Sequence, residues 1–184
     1  MSGGKTRTAV RGVLFDLDGT LFDRNRAVAQ LALEQAQALS HHLPAPLTPE
    51  QFAQRLVALD ARGYVKKPVA YRQLIAELGL DAHHPELDPE HLTDDFFQRY
   101  ADHPVLMTGA VEVLQALRAQ GLRLALVSNG RVAVQQPKIA ALGLAPLLDA
   151  ILVSEAEGVH KPDPLIFQRA LRALGLAAHE AVHV

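Results

Sequence analysis

Two aspartates lie two positions apart where an apolar run ends, in FDLDGT at positions 15–20. The run from Gly12 to Phe15 is continuously apolar, which is typical of a buried strand. Acids at the end of such a strand cost solvation free energy unless a partner compensates them. Two neighbouring carboxylates repel unless a cation lies between them, and Mg²⁺ accepts carboxylate and phosphate oxygens. Asp16 is therefore a candidate nucleophile toward phosphorus, and Asp16 with Asp18 is a candidate magnesium site.

Two further polar groups follow apolar runs later in the chain. Ser128-Asn129-Gly130 follows the run from Leu122 to Val127, and Lys161 lies in GVHKPDP after the run from Ala150 to Val153. A hydroxyl, backbone amides and an ammonium group are suited to hold phosphoryl oxygens as charge builds on them. Alone, Ser128-Asn129-Gly130 is as typical of a turn as of a binding site, and for Lys161 a place on the solvated surface is the alternative. Their place relative to Asp16 favours the phosphate-binding interpretation.

These side chains meet only if the apolar runs are neighbouring parallel strands. Helical segments separate the later runs, and a fourth run begins at Ala181 and continues to Val184. Strands that alternate with helices predict an α/β fold whose parallel sheet has right-handed crossovers. The carboxyl ends of parallel strands are where such folds bind ligands. The predicted site therefore lies at that edge of the sheet.

Cap residues set the predicted helix boundaries. Thr108 is the expected N-cap of a helix that ends before Gly121, and Asp163-Pro164 opens a helix that ends at Gly175. The tripeptide LGL recurs at 78–80, 142–144 and 174–176. It predicts helix ends with a left-handed glycine followed by a hydrophobic residue.

The stretch from about residue 24 to residue 103 contains no strand-like run. Val28, Ala32, Ala36 and Leu39 share one face of a predicted helix. Thr48 and Gln51 form a capping box that starts a second helix. Segments 69–78 and 88–100 complete a predicted group of four helices. This all-helical block is interpreted as an insert between the first and second strands.

Composition narrows the range of functions. The chain has 184 residues, 49% of them hydrophobic, and a formal net charge of −2. This balance gives no electrostatic reason to expect nucleic acid or a membrane surface as a partner. The absence of cysteine excludes disulfides, thiol catalysis and thiolate metal sites. No apolar segment has the length of a signal peptide or a membrane span, so a cytoplasmic protein is expected.

The motifs DLDGT, VSNG and KPDP, in this order after successive strands, resemble motifs one, two and three of the haloacid dehalogenase-like (HAD) superfamily. The similarity extends from Val13 onward, and the helical insert resembles a C1-type cap of the phosphoglycolate phosphatase-like group. The resemblance implies a Rossmann-like core formed by residues 1–23 and 104–184. Residues 24–103 would then be the cap.

The same resemblance implies roles for the matching residues. Asp16 corresponds to the nucleophile, and Asp18 to the general acid/base whose backbone carbonyl also binds Mg²⁺. Ser128, with Asn129 and Gly130, corresponds to the phosphate-binding motif, and Lys161 to the lysine of motif three. Thr20 is interpreted as structural, because its hydroxyl can fix the turn that follows the acids.

The implied activity is a Mg²⁺-dependent phosphatase that hydrolyses a small phosphorylated metabolite through an aspartyl-phosphate. A phosphomutase of the β-phosphoglucomutase type and a non-catalytic HAD-like binding domain remain alternatives. Dehalogenases usually have a non-acidic residue where Asp18 stands, so the acid favours phosphoryl transfer.

Three other features carry expectations. The pairs His41-His42 and His83-His84 are expected at the surface, without a bound metal. ARGYVKKP at 61–68 is interpreted as a solvated linker, with recognition of the leaving group by Arg62 or Tyr64 as the alternative. The chain ends at EAVHV, where the family's fourth strand and its acidic motif four are expected. A fragment or a truncated variant is therefore expected, with weak Mg²⁺ binding, poor turnover and a tendency to associate.

Overall fold

A computed structural model describes residues 9–80 and 84–184 of the chain. Four strands form one sheet: β1 (Gly12–Phe15), β2 (Arg123–Ser128), β3 (Ala150–Val153) and β4 (Ala181–His183). Their order is β3-β2-β1-β4, and every neighbouring pair is parallel. The predicted α/β fold with a parallel sheet is confirmed, and its strands lie where the apolar runs indicated them.

Eight α-helices accompany the sheet in the described part of the chain. They are α1 (Arg24–Ala38), α2 (Pro49–Asp60), α3 (Lys67–Leu78), α4 (Pro89–Arg99), α5 (Ala110–Ala119), α6 (Val132–Ala141), α7 (Ser154–Glu157) and α8 (Pro164–Leu174). Across residues 9–80 and 84–184, none of them is both long enough and apolar enough to cross a membrane.

The chain divides into two compact units. An α/β unit runs to Phe22 and resumes at Leu106, and a helical unit comprises Asp23–Val105. The helical unit contains α1 to α4, and the α/β unit contains the sheet with α5 to α8. The interpretation of these two parts as a core domain and a C1-type cap stays a prediction.

The core of the α/β unit forms where α8 packs on the sheet. Its buried members are apolar residues of β1, β2, β3 and α8: Leu14, Ala125, Val127, Leu152, Ile166, Ala170 and Leu174. The central strands read as continuous apolar runs because both of their faces are covered. This packing fixes the strand ends, and with them the residues that follow each strand.

Most of the predicted helix boundaries are confirmed. Asp163 caps α8 by accepting a hydrogen bond from the Leu165 amide, and Gly175 follows the helix with φ 66°. The other two LGL glycines are also left-handed. The predicted cap at Thr108 is wrong. The Val113 amide donates to the carbonyl of Gly109, so Gly109 is the N-cap and α5 begins at Ala110.

The helical unit has its own core. The predicted apolar face of α1 is buried, and the capping box is present, with the Thr48 amide 2.9 Å from Gln51 Oε1. One expectation for this unit is wrong. Lys67, placed by its charged neighbours in a solvated linker, is buried because its ammonium group pairs with the buried carboxylate of Asp60. Tyr64, in the same stretch, is 91% exposed.

Candidate active site

The structure brings the sequence-predicted site residues to one edge of the sheet. Asp16 directly follows β1, Ser128 ends β2, and Lys161 lies in the loop between α7 and α8, downstream of β3. β2 pairs with β1 on one side and with β3 on the other, both in parallel. The residues that follow these strands therefore share the carboxyl edge, as the sequence predicted.

Asp16 is paired with Lys161. The Lys161 ammonium nitrogen lies 2.7 Å from Asp16 Oδ1, and the same oxygen accepts a hydrogen bond of 2.7 Å from the Leu17 amide. The Asp16 side chain is 33% exposed and that of Lys161 is 14% exposed. The carboxylate is thus held from one side while it remains reachable by a ligand. Both properties are what the predicted role of Asp16 as a nucleophile would require.

Asp18 has two partners of its own, both from α6. Lys138 Nζ lies 2.6 Å from Asp18 Oδ1, and Gln135 Nε2 donates to Asp18 Oδ2 at 2.9 Å. Lys138 is only 2% exposed and Gln135 only 3%. A lysine buried this deeply requires an anionic partner, and Asp18 supplies it. Both carboxylate oxygens of Asp18 are therefore held by groups from one helix.

The Gln135 carboxamide also connects Asp18 to the end of β2. Its Nε2 lies 2.9 Å from Ser128 Oγ and 2.9 Å from the Asn129 carbonyl oxygen. A carboxylate and a backbone carbonyl only accept hydrogen bonds, so the amide nitrogen must face them. Ser128 is 1% exposed. One side chain therefore fixes Asp18 relative to the predicted phosphate-binding hydroxyl.

Gly130 provides the space that Gln135 occupies. A Cβ at position 130 would lie 2.9 Å from Gln135 Cγ and from its Nε2, and the backbone there has φ 152°. The Gly130 amide donates to Ser154 Oγ at 3.0 Å. In this structure, Gly130 thus contributes room for a neighbouring side chain, with its amide already engaged by Ser154.

Asn129 connects the end of β2 to the loop between α7 and α8. Its side-chain nitrogen donates to the Lys161 carbonyl at 3.0 Å, and its side-chain oxygen accepts from the Lys161 amide at 2.8 Å. This reciprocal pair holds the backbone of Lys161. Asn129 therefore positions the lysine that contacts Asp16.

His183, on β4, interacts electrostatically with Lys161 and Asp16 of this site. Burial lowers the pKa of His183 below its ordinary value of 6.5, the positive charge of Lys161 lowers it further, and the negative charge of Asp16 opposes the shift. The imidazole is consequently neutral at neutral pH. Its ring packs edge-on against Phe167, with ring centres 5.0 Å apart.

Sequence reasoning missed Gln135, Lys138, Ser154 and His183 as members of this site. The first two lie on α6, and a signal for that helix exists in the sequence. Gln135, Lys138, Ile139 and Leu142 have the spacing of one helical face, and all four are buried. Two polar side chains on an otherwise apolar face indicate partners inside the fold.

The donors at the end of β1 suit a magnesium ion. Asp16 offers a carboxylate oxygen and the backbone of Asp18 a carbonyl oxygen, while both carboxylate oxygens of Asp18 are already held by Lys138 and Gln135. Mg²⁺ prefers such hard donors and usually binds through one or two carboxylates, with water and substrate phosphate as its other ligands. The residues present therefore fit the metal that the sequence predicted.

Comparison with known proteins agrees with this geometry. The family model of haloacid dehalogenase-like hydrolases matches residues 10–184. The ribulose-1,5-bisphosphate 5-phosphatase of Halopiger xanaduensis is 33% identical over 178 residues, covering 94% of this chain and 74% of that protein. The N-acetylmuramic acid 6-phosphate phosphatase of Pseudomonas aeruginosa is 32% identical over 174 residues, covering 92% and 70%.

A solved structure shares the fold. The HAD-hydrolase YfnB of Bacillus subtilis, solved with bound magnesium, superposes with a TM-score of 0.71 at 24% identity. The match covers 95% of this chain and 77% of that chain. Since the family model spans nearly all of the sequence, and the strand ends carry the acids, the serine and the lysine, the chain belongs to the haloacid dehalogenase-like hydrolases.

Proposed function

We propose that this protein is a Mg²⁺-dependent phosphatase that hydrolyses a small phosphorylated metabolite in the cytoplasm. The observation that carries the proposal is the contact between Lys161 and Asp16 at the carboxyl edge of the sheet. The two relatives named above are both phosphatases, and their names give different substrates. The proposal therefore names the reaction class and not one substrate.

In the first step, a carboxylate oxygen of Asp16 attacks phosphorus. The bond from phosphorus to the ester oxygen breaks, and Asp18, in its protonated form, gives its proton to the departing alkoxide. Ser128 and Lys161 hold phosphoryl oxygens as negative charge redistributes. The product of this step is an aspartyl-phosphate on Asp16 and a free alcohol.

In the second step, a water molecule attacks the phosphorus of the aspartyl-phosphate. Asp18 takes a proton from this water, the bond to Asp16 breaks, and inorganic phosphate leaves. Asp16 returns to its carboxylate form and Asp18 is protonated again, so the cycle consumes one water and is balanced. Mg²⁺, when bound, would screen the negative nucleophile from the negative phosphate.

The helical unit is assigned the role of a C1-type cap. Its four helices enter the sequence between β1 and β2. An insertion at this point in the chain leaves the strand order of the sheet intact. In this assignment the α/β unit performs the chemistry, and the helical unit contributes to the choice of metabolite.

The test is a panel of phosphomonoesters with detection of free phosphate, applied to the wild type and to Asp16→Asn. The variant retains the shape of the side chain and removes the nucleophile. We expect the wild type to release phosphate from several esters, and the variant to lose roughly 10³-fold or more in turnover. Full activity of Asp16→Asn would overturn the assignment. Isomerisation of a sugar phosphate without phosphate release would show that the protein is a phosphomutase instead. Absence of turnover with every ester would favour a non-catalytic binding domain.

A further inference from the structure

Two adjacent histidines of the helical unit, His41 and His42, meet a glutamate that is distant in sequence, Glu86. His41 and His42 belong to a short 3₁₀ turn, Ser40–His42, after α1, and Glu86 belongs to another, Pro85–Leu87, before α4. His42 Nε2 lies 3.0 Å from Glu86 Oε2, and His41 Nε2 lies 3.7 Å from the same oxygen. One ligand atom from each residue lies within 4.8 Å of the others. Among residues 9–80 and 84–184, this is the group of three or more His, Cys, Asp or Glu side chains whose ligand atoms lie close enough together to hold one metal ion.

The separations suit one small cation. Zn²⁺ binds imidazole nitrogen and carboxylate oxygen at about 2.0–2.2 Å, which places neighbouring ligands of a tetrahedral site roughly 3.3–3.5 Å apart. The two distances to Glu86 Oε2, 3.0 and 3.7 Å, lie on either side of that value. Two imidazoles and one carboxylate are also a known ligand set for catalytic zinc. The third separation, between the ligand nitrogens of the two histidines, is within 4.8 Å.

The turn that carries Glu86 is fixed against the histidines. His84 Nδ1 accepts a hydrogen bond of 3.3 Å from the Glu86 amide, which caps this turn. The His84 ring lies 3.8 Å from the His42 ring, which itself lies 3.9 Å from the His41 ring. Leu87, in the same turn, is buried with 1% of its surface exposed, and this burial anchors the turn to the core of the helical unit. The ligands are therefore held near each other without a metal.

Space for the remaining ligands adjoins the cluster. His41 and Glu86 line a cavity of about 260 Å³ together with Gln35, Asp95 and Arg99. A water molecule takes about 30 Å³ in the liquid, so several waters fit there. Three protein ligands with water in the fourth position is an arrangement that Zn²⁺ accepts.

We propose that His41, His42 and Glu86 form a binding site for a divalent transition-metal ion of the zinc class. The imidazole nitrogens distinguish it from the oxygen donors of Asp16 and Asp18, which suit Mg²⁺. A bound ion links the turn after α1 to the turn before α4 and closes a loop that contains α2 and α3. Because the ligands come together only in the folded unit, the ion binds the folded state in preference to the unfolded chain and so stabilises the helical unit.

The test is titration calorimetry of the full chain with Zn²⁺, using protein without a histidine tag and with saturating Mg²⁺ present. We expect one Zn²⁺ per chain, and binding weaker by roughly tenfold or more in His42→Ala and in Glu86→Gln. His179→Ala is the matched control, because this exposed histidine lies in the α/β unit, and it should bind as the wild type does. Replacement of Zn²⁺ by Co²⁺ should give visible absorption bands of a tetrahedral site, which are lost in the same variants.

Thermal unfolding provides an independent readout. Zn²⁺ should raise the Tm of the wild type and of His179→Ala but leave that of His41→Ala/His42→Ala unchanged. Circular dichroism without metal identifies any variant that fails to fold. If the histidine variant fails to fold, the effect of Zn²⁺ on the Tm of Glu86→Gln, an isosteric change at an exposed position, is compared with that of the wild type. Absence of Zn²⁺ binding by the wild type would overturn the proposal. Binding of equal strength in the double histidine variant would do the same.

Discussion

Lys138 Nζ lies 2.6 Å from Asp18 Oδ1 in a position where only 2% of the lysine is exposed. The contact joins α6 to the turn that follows β1, across 120 residues of sequence. Lys138 Nζ also lies 4.7 Å from the centre of the Phe22 ring. Because Gln135 holds the other oxygen of Asp18, the carboxylate has one defined orientation. In the proposed mechanism Asp18 transfers protons, so Lys138 is a positioning residue for that transfer.

Lys138→Met is therefore expected to lower kcat by roughly ten- to a hundredfold while KM changes little, since general acid–base catalysis contributes about 10²–10⁴-fold. The loss should be larger for an alkyl phosphate than for p-nitrophenyl phosphate, because a good leaving group needs less protonation. Steady-state kinetics with both esters measure this. Lys66→Met, at an exposed position, is the control. Equal losses for the two esters would contradict a role through Asp18.

Gly130→Ala tests the space that Gln135 occupies. The new Cβ would meet Gln135 at 2.9 Å and displace the carboxamide from Asp18 and Ser128, so kcat should fall. Gly143→Ala is a matched control, since Gly143 also has a positive φ but has open space around its Cβ position. Both variants should lose roughly 1–3 kcal/mol in free energy of unfolding through backbone strain. If kcat fell equally in both, the contact with Gln135 would not be the cause.

Asp60→Asn tests a buried ion pair in the helical unit. Asp60 is 1% exposed and pairs with the ammonium group of Lys67 and the guanidinium group of Arg24. Removing the anion leaves the buried ammonium group of Lys67 and the half-buried guanidinium group of Arg24 without this carboxylate. Breaking a buried ion pair in this way costs about 3–5 kcal/mol in free energy of unfolding. Chemical denaturation measures this cost. Glu77→Gln, which removes an exposed ion pair with Arg55, should change stability little. A similar small effect of Asp60→Asn would show that the buried pair adds no stability.

The same pair predicts a pH dependence. Burial alone would raise the pKa of Asp60, but the hydrogen bond from Arg24 and the charge of Lys67 outweigh it and lower that pKa below its ordinary value of 3.8. A carboxyl with a lowered folded-state pKa stabilises the fold above its unfolded-state pKa, and this contribution is lost as the pH falls through the folded-state value. The difference in unfolding free energy between wild type and Asp60→Asn should stay constant above about pH 5 and shrink as the pH falls through 3.8 toward the lower folded-state pKa. A difference that persists at lower pH would contradict this linkage.

The acids, the serine and the lysine could be predicted because each follows an apolar run, and parallel strands bring such positions to one edge. The partners of Asp18 could not be predicted in this way. Gln135 and Lys138 belong to a helix with Pro137 in its interior, and proline argues against a helix at that point. Their burial depends on a carboxylate that is more than a hundred residues away in the chain. The burial of Lys67 could not be predicted from the sequence either. Its charged neighbours in sequence predict exposure, and its pairing with Asp60 in the fold explains why it is buried.

The Gln135 carboxamide provides a spectroscopic reporter inside the site. Its two protons are shared among a carboxylate, a hydroxyl and a carbonyl, and the side chain is 3% exposed. Protons sheltered in this way exchange slowly with water, and their nitrogen resonance depends on the oxygens that accept them. Glutamine is labelled with ¹⁵N without altering any group proposed for the chemistry. An NMR titration that follows this one side chain would therefore report when Asp18 or Ser128 changes partner, in an enzyme whose proposed reacting groups are all native.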